Sequence, residues 1–124
     1  MSDKIYGIDL GTTYSCIAVV DEHGKPTVLA NKEGDLTTPS VVYFEDENST
    51  VVGKHAKDQA ELYPNQAVSA VKRNMGSDWD RDILGRTLNA QQLSALILRK
   101  LVDDAEVITG QPVTDVVITV PAYF

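Results

Sequence analysis

The sequence predicts an α/β fold: a mixed sheet with an antiparallel meander and one added parallel strand. Three observations predict it. Three runs near the start, at 4–10, 14–20 and 27–30, are rich in β-branched residues and joined by short polar connections, as in a meander. Residues 90–109 carry one long apolar stripe at helical spacing. Val116-Val117-Ile118-Thr119-Val120 is a nearly unbroken apolar run, which predicts a strand buried on both faces in a parallel position. A right-handed crossover through the long helix lays that strand alongside the first.

Taken in order, Lys4–Leu10 and Tyr14–Val20 flank Gly11-Thr12-Thr13 and form a hairpin. Asp21–Pro26 is a polar turn leading to a third short strand, Thr27–Ala30. Asn31–Pro39 reads as a connector punctuated by Gly34-Asp35. Ser40–Phe44 and Val51-Val52 make a second hairpin across the charged turn 45–50. Lys54–Tyr63 is helical, with Ala56, Ala60 and Tyr63 on one face, and Pro64 ends it. Val68–Val71 is a small apolar patch, and 74–88, which holds Trp79, matches no pattern. Asn89 is a good N-cap for Ala90–Thr109, with Gln92 placed for a capping box and Gly110 for the stop. Leu93, Ile97, Leu101, Ala105 and Ile108 form its core stripe, widened by Leu96 and Val102. Residues 1–39 and 89–124 are thus expected to build a core sheet–helix unit, and 40–88 a smaller peripheral one.

Composition narrows the partners. With 124 residues and a net charge of −7, the chain is one acidic domain. That argues against nucleic acid or an anionic membrane, since both need a basic face. No apolar run is long enough to span a bilayer, and the start lacks the pattern of a signal peptide. One cysteine, Cys16, rules out an internal disulfide and suggests a reducing, cytoplasmic setting. Alternation puts Cys16 with Ala18 and Val20 as a small buried residue. His23 and His55 read as solvated.

The chemistry centres on Gly7-Ile8-Asp9-Leu10-Gly11-Thr12-Thr13. Gly11 permits close approach to the backbone and a positive φ. Consecutive amides in such a turn make an anion-binding concavity, and two hydroxyls stand beside them. Asp9, two residues earlier, is placed to hold Mg²⁺ through water. The stretch is also compatible with a plain turn whose amides a nearby Asp satisfies. It lacks the lysine of a P-loop and the GxGxxG fingerprint.

Four blocks in order resemble the seventy-kilodalton heat-shock (DnaK-type) chaperone family. They are Gly-Ile-Asp-Leu-Gly-Thr-Thr-Tyr-Ser-Cys at 7–16, Glu-Gly-Asp-Leu-Thr-Thr-Pro-Ser at 33–40, Val-Lys-Arg at 71–73 and Val-Ile-Thr-Val-Pro-Ala-Tyr-Phe at 117–124. The resemblance implies the first lobe of an actin-like (ribonuclease H-like) ATPase fold that binds ATP or ADP with Mg²⁺. It implies that Thr12 and Thr13, with the Tyr14 backbone, hold the β- and γ-phosphates. Lys72 would stand near the γ-phosphate and the attacking water, where an ammonium offsets developing charge. Without the resemblance, Lys72-Arg73 reads as a solvated basic pair. Arg73 would be structural or an inter-subdomain contact, and Pro121 and Tyr123 would belong to a switch segment that relays nucleotide state. Unfolded polypeptides, a J-domain co-chaperone and a nucleotide exchange factor are the implied partners of the whole protein. The interval 74–88 is shorter than the resemblance leads one to expect, which implies a trimmed peripheral unit. A second lobe and a peptide-binding domain are expected beyond this stretch, which alone would be inactive and prone to self-association. A lobe of a sugar kinase of the same superfold and a non-catalytic interaction module are the alternatives.

Overall fold

The computed structural model describes residues 4–11, 13–69 and 80–119, and every structural statement below concerns these. They form a mixed α/β arrangement with two α-helices and three sheets. The main sheet holds β1 (Ile5–Leu10), β2 (Tyr14–Val20), β3 (Pro26–Val28) and β10 (Val116–Thr119) in the order β10-β1-β2-β3. β1–β2–β3 is the expected antiparallel meander, and β10 pairs parallel to β1 as the sequence predicts. A two-residue strand, β4 (Thr38–Pro39), also pairs with β2, through Tyr14↔Pro39 and Ser15↔Thr38.

The second sheet joins β5 (Val41–Phe44), β6 (Thr50–Val52) and β7 (Ala67–Ser69) in the order β6-β5-β7. Helix α1 (Lys54–Leu62) follows β6, and Pro64 opens a single 3-10 turn before β7. The segment with no sequence pattern contains a two-stranded hairpin, β8 (Asp80–Ile83) and β9 (Arg86–Asn89). Its two-residue loop, Leu84-Gly85, has positive φ at both positions, 51° and 81°, as a type I′ turn requires. Gly85 was the available signal, but a charged segment with leucine in the first loop position hides it.

Helix α2 (Ala90–Thr109) starts and stops where expected. The Asn89 side chain accepts from the Gln92 amide at 2.8 Å, the Gln92 side chain accepts from the Asn89 amide at 2.9 Å, and Gly110 closes the helix at φ 70°. Leu93, Ile97, Leu101 and Ala105 pack with Tyr6, Ile8, Leu10 and Ile17 of the main sheet. Val42, Phe44 and Val68 of the second sheet and Ile83 and Leu88 of the hairpin enter the same cluster. Each large side chain so buried contributes roughly 1.5–3 kcal/mol, so α2 is the post to which all three sheets are fastened.

Three expectations are corrected. β10 is not buried on both faces: Val117 and Ile118 are 64% and 40% exposed. It is the edge of the described sheet, and α2 covers one face only, the side of Tyr6, Ile8 and Leu10. For the same reason Cys16 is half-exposed rather than core, because it lies on the uncovered face. The core stripe of α2 ends at Ala105, and Ile108 is 49% exposed in a last turn that no described element covers.

The connector 31–37 is a built loop. Asn31 accepts from the Asp35 amide at 2.9 Å and donates to Thr38 Oγ1 at 3.0 Å. Asp104 of α2, almost fully buried, accepts from the Lys32 amide at 3.2 Å and lies 2.7 Å from Lys100 Nζ, which also reaches Glu33 at 2.9 Å. Burial pushes Lys100 down, but its hydrogen bonds to Asp104 and Glu33 outweigh that and hold its pKa above the ordinary lysine value. Gly53, which begins α1, closes this region at φ 106° and ψ −141°, a conformation open essentially to glycine. A Cβ there would come within 3.1 Å of Thr38 Cγ2.

Two substitutions test these backbone requirements in urea unfolding. Gly53→Ala should lower stability by about 1–3 kcal/mol. Leu84→Asn should raise it by about 1 kcal/mol, because asparagine tolerates the left-handed region that leucine resists.

Candidate functional site

The turn between β1 and β2 stands where the main sheet meets the second one. β1 ends at Leu10 because Gly11 leaves the ladder, and β2 resumes at Tyr14. Gly11 has no positive φ, so conformational freedom is not its role. Close approach is: a Cβ on Gly11 would collide with the Tyr14 carbonyl oxygen.

The peptide groups of Gly11 point into the protein. Its N–H donates to Ser15 Oγ at 3.2 Å, and its carbonyl accepts from Ser40 Oγ at 2.8 Å. Ser15 Oγ and Ser40 Oγ are 2.8 Å apart, and both serines are buried. The Ser40 amide donates to the Thr13 carbonyl at 2.9 Å, a second tie from the start of β5 to the turn. With its N–H so engaged, Gly11 does not offer that amide to an anion at this turn.

Thr13 and Tyr14 are exposed at the turn. The Tyr14 hydroxyl accepts from Lys57 Nζ of α1 at 3.0 Å, and the ammonium lies 5.1 Å from the ring centroid. That hydrogen bond favours the charged lysine and raises its pKa. Tyr14, Leu36, Thr37, Pro39, Lys54 and Lys57 line an open cleft between the turn, the connector and α1. Lys57 is not legible in the sequence, since an exposed lysine on a helix carries no signal of its own.

Asp9 is exposed on the uncovered sheet face, paired across the ladder with Cys16 on one side and Thr119 on the other. An open groove runs along that face past Ile5, Gly7, Asp9, Cys16, Ala18, Val20, Val117 and Thr119. Among the described residues no three acidic, histidine or cysteine side chains cluster as a metal cage. A single exposed carboxylate suits Mg²⁺, which keeps several waters and takes one or two carboxylates with phosphate oxygens. The Cys16 thiol is pushed up by partial burial and then by the Asp9 carboxylate, against an opposing backbone hydrogen bond from Asp9.

The structure therefore places Gly11, Thr13 and Tyr14 at one turn and Asp9 on the sheet face two residues before it. Thr12, Lys72, Arg73, Pro121 and Tyr123 lie outside the described residues. The family model described as Hsp70 protein matches residues 5–84 and 80–124.

The coupling of Asp9 to Cys16 is open to a direct check. Asp9→Asn removes the negative charge that disfavours the thiolate, so alkylation of Cys16 by iodoacetamide should become faster at any fixed pH from 7 to 9. The rate in the wild-type chain should climb with pH and still be rising above the ordinary thiol range, as a raised pKa demands.

Proposed function

The chain belongs to the Hsp70 family, and from that premise we propose that it forms the first lobe of an actin-like ATPase that binds Mg-ATP at the β1–β2 turn. In the whole protein, hydrolysis there would drive capture and release of unfolded polypeptides, with J-domain and exchange-factor partners. A reducing, cytoplasmic setting accords with its one half-exposed thiol.

The observation that supports the reading is that Asp9 near the end of β1 and Thr13 flank Gly11, whose own N–H and carbonyl are already satisfied inside the protein. A preformed turn of this kind binds anions without reorganising at the moment of binding. Asp9 would hold the water shell of Mg²⁺, an ion that supplies charge neutralisation on phosphate oxygens. Thr12, Thr13 and the Tyr14 backbone would orient the β- and γ-phosphates. Gly11 contributes by letting the Tyr14 carbonyl fold in beside it. Lys72 would stand near the transferring phosphoryl group and offset the charge that spreads over its oxygens. Arg73 would be structural or a contact between the two subdomains of the lobe, 1–39 with 89–124 and 40–88. Pro121 and Tyr123 would relay nucleotide state onward.

The test is steady-state hydrolysis in the full-length protein. Thr13→Ala and Lys72→Ala should each lower kcat by about 100-fold or more, with far-UV circular dichroism and the thermal midpoint unchanged. The 124-residue chain alone should fold yet turn over no ATP. Turnover by the chain at the full-length rate, or loss of folding in either variant, would remove the reading.

A further inference from the structure

We infer that Ser15 and Ser40 are positioning residues: they close a one-way hydrogen-bond circuit on the Gly11 peptide that presets the β1–β2 turn and ties its shape to the second sheet. The direction follows from proton counting. The Gly11 carbonyl has no proton, so Ser40 Oγ must donate its single proton there, at 2.8 Å. Ser40 Oγ can then only accept from Ser15 Oγ, 2.8 Å away. Ser15 Oγ, having donated, accepts from the Gly11 N–H at 3.2 Å. The circuit runs Gly11 N–H to Ser15, Ser15 to Ser40, and Ser40 to the Gly11 carbonyl. Each hydroxyl donates once and accepts once, and bonds aligned head to tail polarise one another.

The two hydroxyls come from different places in the fold: one from a strand of the main sheet, the other from the single residue that joins β4 of that sheet to β5 of the second. Ser15 lies in β2, while Ser40 leads directly into β5 and ties the Thr13 carbonyl through its own amide at 2.9 Å. Ser40 in turn follows β4, whose Thr38 is held by Asn31. A shift of the second sheet against the first therefore strains the circuit and the Ser40–Thr13 tie together. The Gly11 peptide is thereby withdrawn from any ligand at the turn.

The effect on nucleotide rests on the reading of this turn as the phosphate-holding element, whereas the circuit itself is read without nucleotide. Amide hydrogen exchange in the nucleotide-free full-length protein should show Gly11 protected. Ser15→Ala should abolish that protection, and Ser40→Ala should lower it, although Ser40 does not touch the Gly11 N–H. Each should also weaken Mg-ATP affinity, measured by calorimetry, about tenfold, the weight of one net hydrogen bond. The double variant should be little worse than either single one, because a ring opened once is open. Ser15→Cys and Ser40→Cys, which keep a weak donor of similar size, should fall between, and they carry the test if an alanine variant does not fold.

Full protection of Gly11 in Ser40→Ala would overturn the circuit. Lost protection with unchanged Mg-ATP affinity would overturn the positioning role. Absence of Mg-ATP binding in the wild-type protein would instead remove the proposed function, and the exchange result would still decide the circuit.

Discussion

A reverse turn at the end of a buried strand has peptide groups on its inner side, and water cannot reach them there. Each one left unpaired would cost about 1–3 kcal/mol. In this chain that constraint falls on Gly11, and two buried hydroxyls meet it. Everything around the turn is arranged to bring those hydroxyls in. β4 exists as a two-residue strand because Thr38 and Pro39 must lie along β2 for Ser40 to reach the Gly11 carbonyl. The folded connector before it, pinned by Asn31 and by Asp104, sets the height at which β4 docks.

Helix α2 supplies the other half of the arrangement. Its apolar face is shared by two sheets and a hairpin, so their relative positions are set by one close-packed layer. On its flank, Asp104 and Lys100 grip Lys32 and Glu33 of the connector. A buried carboxylate is a poor source of net stability, since its desolvation offsets most of the attraction. Its value here is geometric: it accepts one particular backbone amide and so permits one seating of the loop.

Regular elements with an apolar period were legible in the sequence. The meander, the second hairpin, both helices and the parallel strand follow from spacing, and the ends of α2 follow from Asn89, Gln92 and Gly110. What escaped were elements made by polar contacts. β4 has no periodicity, and the β8–β9 hairpin is dominated by charge, with the Thr87 hydroxyl on the Asp82 carboxylate across the strands. Burial was misjudged wherever it depended on how many layers cover a strand. An unbroken apolar run such as 116–119 is the same string of letters under one cover or two. Of the site, the Asp9–Gly11–Thr13 grouping could be read from residue types. The partnership of Ser15 with Ser40 could not, because 25 positions separate them and they stand in two different blocks, 7–16 and 33–40, that nothing in the sequence links.

The uncovered side of the main sheet is apolar along Ile5, Ala18, Val20 and Val117, but a carboxylate stands at its end. An all-hydrocarbon lid laid over that end would strip water from Asp9 and offer nothing in exchange, and burying a charge in this way is prohibitive. The surface is thus selective by chemistry: greasy contact is welcome toward the Ile5 end, while the Asp9 end admits only something that brings a cation or donors. That gradient orients whatever docks there, and it keeps the end of β1 wet.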